Sequence, residues 1–192
     1  MLRKPQNNRK KVYLSIFIVA IMVLSTFGII ANYTSPNQDT DYNGFSFYRD
    51  ANGFWITSVN DQDYKFFFHP LDLGVEIPDE ITEKIKQSKT ITLTFSPKMQ
   101  DLQYLDAARF ELSQFLTERG IQVASGITEI NETYGLPVVL CNPSSENPII
   151  HFTSSNTTSA SIDSSCITFT AATSERHLAH AEKIIYTLLG VI

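Results

Sequence analysis

The sequence predicts a mixed α/β domain of α+β character, held at a membrane by one N-terminal transmembrane helix. Three observations predict it: an uncharged run at 12–31, aromatic-rich alternation between 45 and 69, and strand–helix–strand order across 89–125. Twenty helical residues at about 1.5 Å rise match the roughly 30 Å hydrocarbon core of a bilayer, so 12–31 has the length of one complete span. A cleaved secretory signal is the alternative. Its apolar part is shorter, however, and neither Thr26-Phe27-Gly28 nor Ile29-Ile30-Ala31 makes a good small-x-small cleavage site.

Orientation follows from the flank. Arg3, Lys4, Arg9, Lys10 and Lys11 all precede the span and no acid does, which holds residues 1–11 in the cytoplasm and places 32–192 outside. A reversed anchor with a cytosolic domain is the alternative. Removing these five cations from the chain's fifteen Lys and Arg leaves ten against all twenty acids, so the outer part carries −10 with His neutral. Such a surface repels polyanions, which excludes nucleic acid as an expected partner. The organisation expected is thus a basic leader (1–11), a span (12–31), a polar linker (32–43) and one domain (44–192). Sequons occur at Asn32, Asn131 and Asn156, a number that chance explains.

Within the domain, Phe45–Arg49, Phe54–Val59 and Tyr64–His69 read as a β-meander, because aromatic and β-branched residues suit a half-buried pleated surface. Asp50–Gly53 and Asn60–Asp63 supply the turns. The run Phe66-Phe67-Phe68 breaks alternation, which suggests a strand covered on both faces. A short helix follows from Pro78 to about Gln87, with Ile77, Ile81 and Ile85 spaced by four. In Thr90–Phe95 the threonines alternate with Ile91, Leu93 and Phe95. Residues 101–119 carry one apolar stripe (Leu102, Leu105, Ala108, Leu112, Phe115, Leu116) closed by Gly120. Ile121–Ser125 then completes a βαβ unit with parallel strands. Further strands are expected at 137–141, 149–153 and 166–170. A final amphipathic helix is expected at about 174–189, with Thr173 or Ser174 at its start and Gly190 at its end.

Cys141 and Cys166 are the only cysteines, and an even pair outside the membrane suggests one disulfide; two independent buried thiols are the alternative. Neither cysteine belongs to a C-x-x-C pair, which gives a zinc or redox role little support. No catalytic, cofactor-binding or metal site is assigned. His177 and His180 lie three apart with Glu175 and Glu182 beside them, a spacing that can reach one metal, with His69 or His151 as a third ligand. A solvated helix face explains them better. Ser154, Ser155, Ser159, Ser161, Ser164 and Ser165 are not set in a Gly-x-Ser-x-Gly signature, and an exposed β-hairpin has the same composition. The loop from Ser96 to Asp101 stands where α/β folds bind ligands and contains Lys98, but it has no glycine and reads as an ordinary connection. Asp101, Asp106, Glu111 and Glu118 are expected on the wet face of the long helix.

Phe68-His69-Pro70, Asp72-Leu73, the helical stretch Tyr104–Arg109, the strand ending in Cys141, Pro148–Ile150, Cys166-Ile167 and Leu188–Val191 together resemble a family of uncharacterised archaeal proteins with a single N-terminal membrane anchor. The resemblance covers nearly all of 44–192. It implies the anchor and the paired cysteines, and no reaction. The expected function is therefore a membrane-anchored extracytoplasmic binding or assembly module of a cell-surface complex, needing no cofactor. The alternative is a hydrolase-type extracytoplasmic enzyme with a dispersed site, for which His69, His151, His177 and Ser96 are the residues to inspect.

Overall fold

The computed structural model describes residues 13, 16–19, 21, 22 and 39–192. The chain divides into two compact units, Met1–Asp39 and Thr40–Ile192. Leader, most of the expected span and most of the linker lie outside the described residues. Those residues of 12–31 that are described are helical, and no helix among the described residues is long and apolar enough to cross a membrane.

The second unit opens with the antiparallel meander β1 (Thr40–Tyr42), β2 (Phe45–Arg49), β3 (Trp55–Val59) and β4 (Gln62–Phe66), paired in chain order. Its first strand corrects the expected linker. Asn43 and Gly44, at φ 49° and 83°, make a two-residue turn whose twist matches the strands it joins, so the domain starts at Thr40. Asn60 and Asp61, at φ 53° and 63°, form the same kind of turn between β3 and β4. Asp50 builds the remaining turn with its side chain, accepting from the N–H groups of Asn52 and Phe54 at 2.8 and 2.9 Å. Strand β4, expected to run on to His69, ends at Phe66, and only Phe66 of the three phenylalanines is fully buried.

After a 3-10 turn (Pro70–Asp72) and α1 (Asp79–Lys86), a second sheet forms from β5 (Thr90–Phe95), β6 (Gln122–Ile127), β7 (Ile149–Ser154), β8 (Ser159–Asp163) and β9 (Cys166–Ala171). Its order is β6-β5-β7-β9-β8, parallel except for β8 at the edge. Helix α2 (Leu102–Glu118) connects β5 to β6 as the expected βαβ unit, and α3 (Ser174–Leu189) closes the chain with Gly190 at φ 77°. The strand expected at 137–141 is absent. Pro137 has no N–H to give a ladder, and the segment makes one isolated parallel bridge, Ile127 to Val138. It stays against the sheet because Val139 N–H donates to Ile127 O and Thr94 Oγ1 donates to Val139 O at 2.8 and 2.7 Å.

Three layers result. Helix α3 packs one side on the five-stranded sheet, with Phe152 against His177 and Phe169 against His180 at 5.4 and 5.0 Å between ring centres. Its other side meets the meander, where Phe66 stacks on Tyr186 at 3.9 Å. Helices α1 and α2 flank it, and ten of its residues are buried. This is why the expected solvated face does not exist: His177, His180 and Glu182 are all fully buried.

Candidate functional site

A cleft of about 410 Å³ opens between β4 and α2. All of β4 and Phe67 line one wall; Phe110, Glu111, Gln114, Phe115 and Glu118, one face of α2 over two turns, line the other. Ile185 of α3 and Phe54 also line it. Aromatic surface is unusually open here. Phe110 is 68% exposed and lies off the buried stripe of its helix, and Phe67 is 39% exposed with its ring 4.7 Å from Phe54. Lys65 already places an ammonium 4.0 Å above the Phe54 ring and pairs with Asp50 at 2.8 Å.

Glu111 corrects the expected wet face. Its carboxyl is half-buried between Phe110 and Leu112 and has no hydrogen-bond or ion-pair partner among the described residues. Burial pushes it up to about 7, so near neutral pH it is poised between acid and anion. Asp106 and Glu118 do stay exposed, bonded to Arg109 and Gln114, while Asp101 takes a left-handed conformation at the helix start and its side chain caps nothing.

Behind the cleft, α3 grips the end of β4. Glu182 accepts from the N–H groups of Phe67 and Phe68 at 2.5 and 2.9 Å, and Tyr186 donates to Phe68 O at 2.8 Å. Burial holds the Glu182 carboxyl well above the usual range, and the two N–H groups pull it the other way. Burial also raises Tyr186.

The histidines line neither this cleft nor a metal site among the described residues. His69 sits in an aromatic box with Phe47 and Trp55 at 4.9 and 4.8 Å; its Nδ1 accepts from Leu71 N–H and its Nε2 faces Thr40 Oγ1 at 3.2 Å. That arrangement fixes the neutral Nε2–H tautomer, and burial lowers its basicity. His151 is half-buried in β7, in register with Thr94 and Thr168. His177 and His180 lie 6.2 Å apart, and none of their ring nitrogens finds a hydrogen-bond partner among the described residues. Burial drives them down to about 3 and about 4, with the neighbouring charges of His180 and His151 adding for His177 and Arg176 for His180. No group of three or more His, Cys, Asp and Glu among the described residues is placed to hold a metal ion.

Ser96 donates to Glu129 Oε1 at 3.3 Å, and Lys98 pairs with the same carboxylate, which ties the expected ligand loop to the segment after β6. Ser159 and Ser161 lie on the exposed edge strand β8, and Ser159 bonds across to Thr170 at 2.8 Å. A second cavity, of about 540 Å³, lies beside α1, lined by 74–78 and 158–160. Neither cavity is lined by Ser96, His69, His151 or His177. Cys141 and Cys166 form the expected disulfide, with Cα atoms 5.3 Å apart.

The chain matches no protein-family model, no characterised protein and no solved structure.

Proposed function

We propose that this chain is a membrane-anchored protein whose Thr40–Ile192 domain works outside the cytoplasm as a binding or assembly module, with the β4–α2 cleft as its contact site. The observation that carries the reading is the cleft itself: exposed Phe67 and Phe110 beside a carboxyl with no partner among the described residues. Exposed aromatic surface beside a polar rim suits recognition. The basic leader, the uncharged run 12–31 and the Cys141–Cys166 disulfide support placement outside the cytoplasm. The resemblance to anchored archaeal proteins points the same way.

An extracytoplasmic hydrolase is the competing reading, and it has little support because neither cavity is lined by Ser96, His69, His151 or His177. The test is purification of the full chain from native membranes in mild detergent, alongside a Phe110→Asp variant. A stable companion retained by the parent chain and lost from the variant supports the module. Companions indifferent to Phe110 remove the cleft as contact site, and recovery of the chain alone removes the assembly role.

A further inference from the structure

The meander leaves one edge of backbone open onto the cleft. In a two-residue hairpin the closing pair exchanges both hydrogen bonds, and pairs alternate from there. With Asn60 and Asp61 as the turn, Gln62, Tyr64 and Phe66 bond back to Val59, Thr57 and Trp55. Asp63 and Lys65 therefore direct their N–H and C=O groups away from β3. Strand β4 ends the sheet order, so no strand among the described residues receives them. Phe67, next in the same phase, shows that this edge seeks partners, for its N–H reaches out to Glu182.

The facing wall of α2 runs from Phe110 to Glu118, about 12 Å at helical rise, which is room for roughly four extended residues. Charge selects among the peptides that could enter. Lys65 is already paired with Asp50, whereas Glu111 and Glu118 form no ion pair among the described residues and the domain as a whole is acidic. We propose that an extended segment of a partner protein, alternating apolar and Lys or Arg residues, joins the Asp63–Lys65 edge as a fifth strand of the meander, its basic side chains meeting Glu111 and Glu118 and its apolar ones Phe67 and Phe110. This rests on the reading of the cleft as a contact site and adds the mode and the ligand chemistry. Main-chain pairing would supply affinity, and alternate side chains specificity.

The test uses the full chain in mild detergent and a fluorescent, end-blocked hexapeptide alternating Lys and Val, read by anisotropy. N-methylating alternate amides in one phase should weaken binding about tenfold, the loss expected for one or two hydrogen bonds, and in the other phase should leave it unchanged. Lys65→Pro, which removes an outward N–H but none of the ladder to β3, should weaken it similarly. Hydrogen exchange should slow across 60–67. Equal binding by both N-methylated peptides, equal binding by a Glu–Val peptide, or slowing confined to another segment overturns the proposal. Absence of binding by any peptide overturns it too, yet leaves the module standing if a native companion still depends on Phe110.

Discussion

At the scale of single residues, the two buried histidines make the fold sensitive to acid. Both are neutral when folded because burial penalises the imidazolium. Unfolded imidazoles hold their proton below about 6.5, so between that value and the folded values of about 3 and about 4 the unfolded chain binds more protons. Stability is full above 6.5 and is lost as pH falls through that window. At pH 5 each histidine should cost about 2 kcal/mol relative to pH 7. The His177→Phe, His180→Phe double variant should remove most of that loss, measured by urea unfolding at the two pH values. A parental pH slope unchanged in the double variant would falsify the assignment. Glu111 behaves oppositely. Its folded value of about 7 lies above the unfolded one, so its penalty grows as pH rises from about 4.5 and is complete above 7. Glu111→Gln should therefore gain about 2 kcal/mol at pH 8 and much less at pH 5, allowing for its partial exposure to solvent.

At the scale of elements, Gly126 of β6 is, among the described residues, the glycine with least room for a side chain. A Cβ there would stand 2.7 Å from Val139 Cγ2 and 3.2 Å from Pro137 O. The segment after Gly135 needs that space, because Val139 bonds both Ile127 and Thr94. Gly126→Ala should cost about 2 kcal/mol through overpacking. Adding Val139→Ala should return about half of it, since the Cγ2 contact goes and the carbonyl contact stays; a double variant no better than the single one would count against this packing. The elements also show what the sequence makes legible. Thr90–Phe95 alternates cleanly and is a strand; the stripe from Leu105 to Leu116 and the glycines at 120 and 190 set both long helices to within a residue or two. Strand β1 escapes because its three residues carry no apolar alternation, although Asn43-Gly44 is a strong hairpin signal and could have found it. The apolar, β-branched content of 137–141 cannot make a strand without a partner edge, and β6 offers it a single bridge.

At the scale of the whole molecule, helical periodicity assumes one covered side. Helix α3 has two, one sheet on each, so His177, His180 and Glu182 are buried where the pattern reads them as solvated. The cleft is equally a product of assembly, since β4 and α2 are adjacent only after the meander meets the helix layer. Its one trace in the sequence is Phe110, a large apolar residue off the stripe of its helix.

The disulfide ties that assembly to its compartment. Cys141 and Cys166 bracket the segment that holds β7 and β8, with 25 residues of separation, and closing that loop restricts the unfolded chain by about 3 kcal/mol. Such a bond persists where thiols are oxidised, and the five leader cations are what would place the domain there. Reversing Arg3, Lys4, Arg9, Lys10 and Lys11 to Glu should therefore change two readouts together. In cells carrying the parent chain, external protease should digest the domain, and the unfolded, non-reduced protein should take up no thiol reagent. With the leader reversed, the domain should be protected and should take up two equivalents. A parent domain protected in intact cells would sink the orientation; two reactive thiols in the parent would sink the bridge. If the variant kept its disulfide while protected, compartment and oxidation would be uncoupled, and the leader would not be what sets the redox state of this fold.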